Sequence, residues 1–473
     1  MKNGRCLGLR GWGTVAVCCV AAAVARADYK DDIGYRAFTN SLAQLSIAVP
    51  TGDGITASQV EGYYAEVYRF VPDTNNVELA GKTVTVMTSG TALTSDHATR
   101  VGRALYGTAS VAPDVDNIHS YYSTDWINSF LRYGQSRAPL VESRSIQNHS
   151  WILTNQTEAV RTEIIRRYDF QIQRDQTIAV VGLNNGSGTE VPDFGGHSYN
   201  AIVVGLTNGN HSRDGTVGDV AGRIKPDIVA SPYPFQATSY STPVVGAAAA
   251  LLLEMAQNDS ELNRATNAVA IKSMLMAGAT KTNLTSWSQT ASQPIDEVFG
   301  AGALNINNSG LILVEGRQEA STNSTVAVRG WDFDTALTNQ LRFYYFDVEA
   351  DKKLEEFSAS LNWNRNIQTS QVGQNWSITG ATVADMALGL YEVGAGGFDL
   401  GDLIWSSDSA VDNVEYVYQT ELQSGRYALQ VSGGDSTDYA LSWTGVLVPE
   451  PGVAVLILFG GFLCAWARRR QHL

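Results

Sequence analysis

Residues 225–257, KPDIVASPYPFQATSYSTPVVGAAAALLLEMAQ, decide the fold. They read as a strand at Ile228–Ala230, a loop, and a long helix opening at Ala237-Thr238-Ser239. Residues 244–253 are valine, glycine, alanine and leucine alone. A helix that is apolar on every side belongs at the centre of a large core. Thr238 and Ser239 are good N-terminal capping residues. A hydroxyl there stands over backbone N–H groups that lack intrahelical acceptors and over the positive end of the helix dipole. That is a favourable place for a nucleophile whose attack creates an oxyanion. An ordinary Ser/Thr cap on a core helix fits the same residues, so the surroundings must decide.

The chain has 473 residues, 44% of them hydrophobic and 17% charged, enough for a sizeable core and for two or more domains. The formal net charge of −14 argues against nucleic acid and anionic membrane surfaces as partners. Lys2, Arg5 and Arg10 precede a small-residue apolar run, Thr14 to Val24, and Ala25-Arg26-Ala27 forms an A-x-A site. Residues 1–27 are therefore expected to be a signal peptide, with the exported chain starting at Asp28. Cys6, Cys18 and Cys19 lie in that segment and Cys464 in the tail. The exported body thus carries no cysteine, which excludes internal disulfides, zinc–thiolate sites and cysteine-protease chemistry.

At the other end, Val448-Pro449-Glu450-Pro451 precedes an apolar run, Gly452 to Ala467, and then Arg468-Arg469-Arg470. The run is short for a comfortable membrane span, and the arginines would stay cytoplasmic. This pattern resembles the PEP-CTERM sorting signal of Gram-negative bacteria. The resemblance implies transient inner-membrane anchoring through residues 448–473, processing by an exosortase-type membrane enzyme, and release to the cell surface or extracellular matrix. A plain tail anchor is the alternative.

Between these ends, strands and helices alternate up to about residue 310. Ile55 to Val60 reads as a short strand carrying Glu61 at its C-terminal end, where doubly wound α/β proteins gather ligands and catalytic groups. Asp53 precedes that strand and would lie at its wrong end. Lys82–Thr88, Ile146–Trp151, Thr177–Gly182 and Tyr199–Leu206 read as further strands, the last two as buried ones. His97 opens an amphipathic helix, Thr157–Asp175 reads as another, and Arg264–Gly278 reads as a further helix. Leu183-Asn184-Asn185-Gly186 follows a strand and is by itself an ordinary turn.

Taken in order, these segments resemble the subtilisin-like serine proteases (subtilases). Ala237-Thr238-Ser239-Tyr240-Ser241-Thr242-Pro243 is similar to the family's Gly-Thr-Ser-x-Ala/Ser-x-Pro, with Ala237 in place of Gly. Asp96-His97-Ala98-Thr99-Arg100-Val101-Gly102-Arg103 is similar to the segment around the family's histidine. There Ala98, Arg100 and Gly102-Arg103 replace Gly, His and Ala-Gly. Ser110-Val111-Ala112-Pro113, Ile146 to Trp151, and Phe299 to Asn305 match further motifs in the right order. The resemblance covers about residues 50–310. It implies that Ser239 is the nucleophile, His97 the general base, and Glu61 the acid, in a position where the family has Asp. It implies that the Asn184 side chain and the Ser239 backbone N–H form an oxyanion hole, such a side-chain donor being worth about 3 kcal/mol of barrier. His149 falls at a variable position and is expected to be structural, and His197 and His211 are expected to be loop residues. The order Glu61, His97, Ser239 is that of subtilisin.

From about residue 318 helical patterns vanish and short strands alternate with turns, as in Tyr427 to Ser432. The expected architecture is an α/β fold with a mostly parallel sheet sandwiched by helices (28–317), followed by an all-β sandwich (318–446). The second region is similar to pre-peptidase C-terminal domains, with binding to polysaccharide or protein, or a spacer role, all open. The function implied is an exported serine endopeptidase acting on protein or peptide. The alternatives are a catalytically inactive matrix or binding protein on the same fold, and an esterase using the same Ser and His. No cofactor or metal site is read. Subtilases often bind structural calcium, but no ligands for it can be named.

Overall fold

The computed structural model describes residues 28–62, 68–213, 215–216, 219, 221–284, 286–394 and 396–449. The expected signal peptide, and the part of the expected sorting segment beyond Pro449, lie outside the described residues. The first region runs α1 (Tyr29–Asp32), α2 (Tyr35–Leu45), β1 (Thr56–Glu61), β2 (Arg69–Val71), β3 (Val84–Val86), β4 (Leu93–Thr94), α3 (Asp96–Leu105) and β5 (Asp116–Tyr122). There follow α4 (Ser123–Asp125), which continues as a π-turn to Phe130, then β6 (Ile146–His149), α5 (Glu158–Asp175), β7 (Ile178–Gly182), β8 (Ile202–Leu206) and β9 (Ile228–Ala230). Last come α6 (Thr238–Asn258), α7 (Ala268–Ala277) and α8 (Ile306–Glu315).

Seven strands form one parallel sheet in the order β3-β5-β1-β6-β7-β8-β9. Its centre is buried on both faces. On β7, Ile178 and Val180 join the core around α6, whereas Ala179 and Val181 join the aromatic cluster beneath α5 with Trp126, Tyr168 and Phe194. The alternation of a strand therefore places helices on both sides. Every residue of α6 from Tyr240 to Leu253 is buried. This helix packs against α3, against β6, β7 and β8, and against α7 and α8.

Several helices start on their own caps. Ser95 accepts from Ala98 N–H, Thr157 from Val160 N–H, Asn267 from Val269 N–H and Asn305 from Asn308 N–H. Helix α7 is shorter than the expected 264–278, because residues 260–266 wind as a 3₁₀ segment ahead of the Asn267 cap.

The register sets where the chemistry can lie. Glu61 pairs with Tyr122, Val60 with His149, and His149 with Val181. Glu61, Ser150 and Gly182 thus lie together along the carboxyl edge of the sheet.

The second region is a sandwich of a five-stranded and a four-stranded sheet. It comprises β10 (Thr325–Val326), β11 (Arg329–Ala336), β12 (Arg342–Val348), β13 (Lys352–Trp363), β14 (Asn366–Val372), β15 (Asn375–Thr382), β16 (Met386–Val393), β17 (Leu400–Ser407), β18 (Val414–Leu422), β19 (Gly425–Gly433) and β20 (Thr437–Pro449). The sheets run β10-β12-β19-β16-β17 and β11-β20-β13-β18, with β14–β15 as a separate hairpin. All pairs are antiparallel except β10–β12. Phe346, Leu361, Leu388, Leu429 and Leu441 fill the space between the sheets.

This sandwich does not hang free. Trp331, Val414, Tyr416 and Ala440 belong to the same apolar core as α6. Ser273 on α7 donates to Ser360 O at 2.7 Å, and Ser358 donates back to Ala277 O at 2.9 Å. Arg365, 2% exposed, reaches from the β13–β14 turn to Asp169 on α5 at 2.8 Å and also pairs with Asp219. Its guanidinium lies over the Tyr199 ring, as does that of Arg223. Lys281 is enclosed by Trp287, Tyr416 and Tyr418, and burial pushes its ammonium down to about 7, opposed by Glu356.

Trp331 spans this junction, fully buried with its indole N–H donating to Leu313 O at 3.3 Å. Trp331→Ala is expected to destabilise the whole chain by about 3–5 kcal/mol in urea unfolding. An unchanged midpoint would show that the sandwich contributes nothing to the α/β core.

Candidate active site

Glu61 is the last residue of β1 and is 2% exposed. His97 is the second residue of α3, and its Nδ1–H donates to Glu61 Oε2 at 2.7 Å. Burial alone would pull the imidazolium down. The charge of Glu61 and its hydrogen bond outweigh that, with Arg100 opposing, so His97 titrates above the ordinary histidine value of 6.5. Asp53, the acid at the other end of β1, is exposed in the preceding turn.

Ser239, in the first turn of α6, faces a cleft of about 610 Å³ that also exposes His97, Ser150, Asn184 and Asn185. Its hydroxyl makes a long contact to Ser150 O at 3.5 Å. Between Gly182 and α6 the approach is close. A Cβ on Gly182 would lie 2.8 Å from Thr242 Oγ1.

The helix start differs from the expected one. Thr238 and Ser239 do not cap it. The cap position is Ala237, which has no side-chain acceptor. Asn185 takes over from across the cleft: its Oδ1 accepts from Thr238 N–H at 2.9 Å. Thr238 Oγ1 donates to Leu183 O at 2.6 Å, which ties the loop after β7 to the helix start. Asn184 is held through its backbone, its N–H on Ser212 Oγ at 3.1 Å and its carbonyl accepting from Ser212 N–H at 2.8 Å. Asn184 lines the cleft together with Ser239.

A second consequence follows from Pro243. Proline has no N–H, so the carbonyl four residues earlier loses its helical donor. That carbonyl belongs to Ser239, and Ser150 Oγ donates to it at 2.9 Å. Asn148 Nδ2 in turn donates to Ser150 Oγ at 3.0 Å. Sequence reasoning missed Asn185 and Ser150. The proline four residues after Ser239 was the signal available for Ser150.

The replacements beside these positions leave the backbone unstrained. Ala237 is extended, with φ −156° and ψ 151°. Neither Ala98 nor Leu183 is among the described residues with positive φ. Arg100, where the resemblance has a histidine, lies over the Phe235 ring at 4.7 Å. Tyr240 lies 5.6 Å from the His97 ring, and Ile127, Trp151, Ile152 and Leu153 give the cleft an apolar wall.

The other histidines do different work. His149 is buried, and burial holds it well below its ordinary value. Its Nδ1 accepts from the Trp151 indole at 3.1 Å and its Nε2–H donates to Gln147 Oε1 at 3.0 Å, a structural role. His197 and His211 lie in loops as expected but are buried, and His211 bridges Leu206 N–H to Val298 O. Among the described residues, no group of three or more His, Cys, Asp and Glu side chains is placed to hold a metal ion.

Residues 87–302 match the model of the subtilase family, Peptidase_S8. No curated protein matches the chain. Among solved structures, S41 psychrophilic protease is similar at 16% identity over 54% of this chain and 92% of its own, with a TM-score of 0.38. Fervidolysin from Fervidobacterium pennivorans, described as a keratinolytic enzyme related to subtilisin, is similar at 13% identity over 84% of this chain and 60% of its own, with a TM-score of 0.40. The pre-peptidase C-terminal domain of a Bacillus anthracis collagenase is similar at 15% identity over 27% of this chain and 99% of its own, with a TM-score of 0.18. Over residues 87–302 the α/β region is thus similar to the subtilase family, and antiparallel sheets follow it.

Asn185→Ala removes the acceptor at the start of α6. A stability loss of about 1 kcal/mol is expected in denaturant titration. No loss would mean that water replaces the Asn185 carbonyl at no cost.

Proposed function

We propose that this chain is an exported serine endopeptidase working through Ser239, His97 and Glu61. The observation that carries the reading is the 2.7 Å contact between Glu61 Oε2 and His97 Nδ1 at the edge of a cleft that also holds Ser239 at the start of a buried helix. In this reading Ser239 Oγ attacks the peptide carbonyl carbon while His97 Nε2 takes the hydroxyl proton. Asn184 Nδ2 and the Ser239 N–H hold the oxyanion. As the tetrahedral intermediate collapses, the C–N bond breaks and His97 returns the proton to the leaving amine. Water then releases the acyl group by the same steps. Glu61 stays charged throughout, fixing the imidazole tautomer and stabilising the imidazolium. The apolar wall of Ile127, Trp151, Ile152 and Leu153 favours apolar substrate side chains. Residues 1–27 direct export, and residues 448–473 serve as a sorting segment, read by an exosortase-type enzyme, that anchors the chain transiently at the inner membrane.

The full chain is expected to react with a fluorophosphonate probe, and Ser239→Ala to abolish labelling. Glu61→Gln is expected to slow labelling on the order of 10³- to 10⁴-fold. A folded wild type that does not label would favour an inactive matrix or binding protein on this fold. Turnover of esters with none of peptides would favour the esterase.

Because His97 must be neutral to act as base, kcat/KM rises with pH through its titration. The acid limb is expected to have its midpoint above pH 6.5, since Glu61 raises the value. A midpoint at or below 6.5 would show that Glu61 does not act on His97 as a charged partner.

A further inference from the structure

Glu61 stands where the subtilase pattern has an aspartate, and its longer side chain has one more torsion to fix. Gln59 lies two residues earlier on β1, on the same face, and is fully buried. Its Nε2 donates to Glu61 Oε1 at 2.8 Å and to Ala98 O at 2.8 Å. Both of those atoms only accept, so the amide orientation is determined. Gln59 Oε1 then accepts from the Tyr106 hydroxyl at 2.5 Å. Burial first, and the Glu61 charge second, push the Tyr106 phenol well above its ordinary value, so it remains a neutral donor.

Tyr106 closes α3, and its ring folds back along the helix over Gly102. A Cβ at Gly102 would lie 2.6 Å from the Tyr106 hydroxyl oxygen and 2.8 Å from Cζ. Glycine is unfavourable inside a helix, and its conformational freedom is not used here. Gly102 also stands where the subtilase pattern has alanine. The replaced acid, the buried amide, the phenol and the glycine therefore form one connected unit.

We propose that Gln59, held by Tyr106 in the space left by Gly102, is the positioning residue that allows a glutamate to serve as the acid. It clamps Glu61 Oε1 so that Oε2 meets His97 Nδ1. This rests on the serine-peptidase reading above. Among the described residues, the groups facing His97 include Glu61 from β1, Arg100 from its own helix and the Tyr240 ring from α6, with Tyr106 facing Glu61 from the end of α3.

The test uses the full chain with Gln59→Leu, Tyr106→Phe, their combination, and Gly102→Ala. Gln59→Leu is expected to lower kcat roughly 10- to 100-fold. KM is expected to stay within about twofold, since substrate does not touch Gln59. Tyr106→Phe and Gly102→Ala are each expected to cost roughly 3- to 10-fold in kcat. In the double variant the Tyr106 effect should vanish, because it acts through Gln59. The second readout is the His97 ring titration, followed by NMR on histidine-labelled protein. With Glu61 no longer clamped, burial prevails and the midpoint moves down, carrying the acid limb of kcat with it. A folded Gln59→Leu with unchanged midpoint and kcat overturns the proposal, as does additivity in the double variant. If Gln59→Leu does not fold, Tyr106→Phe, which deletes one oxygen, decides by the same midpoint. If wild type neither labels nor cleaves while the midpoint still falls in Gln59→Leu, the clamp stands and the peptidase reading fails.

Discussion

Helix α6 has no polar face along its middle, so water must be kept from it on every side. Most of the architecture follows from that requirement. Four strands of the parallel sheet, β6 to β9, cover it, α3 crosses it, and α7 and α8 close the remaining side. A helix threaded through a core has its ends at the core's boundaries. The N-terminal end of α6 emerges at the carboxyl edge of the sheet, among Glu61, Ser150 and the loop after Gly182. Ser239 therefore owes its position to the burial of Ala247 and Leu251 as much as to its own contacts.

At that edge the first helical turn is completed by groups from elsewhere. Asn185 satisfies the Thr238 N–H that Ala237 cannot, and Ser150 satisfies the Ser239 carbonyl that Pro243 leaves bare. Ser239 is thus held from both sides by the loops that flank it. Rigidity of this kind matters for chemistry that depends on an oxyanion forming at a fixed point. The same economy of buried polar groups runs through the molecule. Arg365 and Asp169 meet where the sandwich joins α5, and Gln59 fills the space behind Glu61.

The parts of this legible in the sequence were those written locally. The apolar run after Ser239, the strand ending at Glu61, the helix opening at His97 and the alternating strands from Leu341 to Thr444 each lie within about a dozen residues. Their types follow from periodicity. Among the strands not expected, β14 (Asn366–Val372) is a polar ribbon, mostly exposed, whose sequence carries no apolar alternation. The site's supporting contacts were hidden for a different reason. Tyr106 and Gln59 are 47 positions apart, and Asn185 and Thr238 are 53 apart. No local pattern encodes such a meeting. Gly102 looked like a loose match to the family pattern until its missing side chain was seen to make room for a hydroxyl. The join between the two regions was invisible too, because Ser273, Ser358 and Tyr416 read as ordinary strand and helix residues until the two surfaces meet.

Strand β20 is the last described element, and residues 450–473 follow it directly. It is paired from Thr437 to Thr444 with β11 and from Tyr439 to Pro449 with β13, so that residues 439–444 have a partner on both sides. Tension applied through the chain beyond Pro449 would act along that strand. It would load the β13 ladder in shear first, and the β11 ladder with it further in. A pull from that end is therefore spread over the four-stranded sheet and, through Trp331 and Tyr416, into the core around α6.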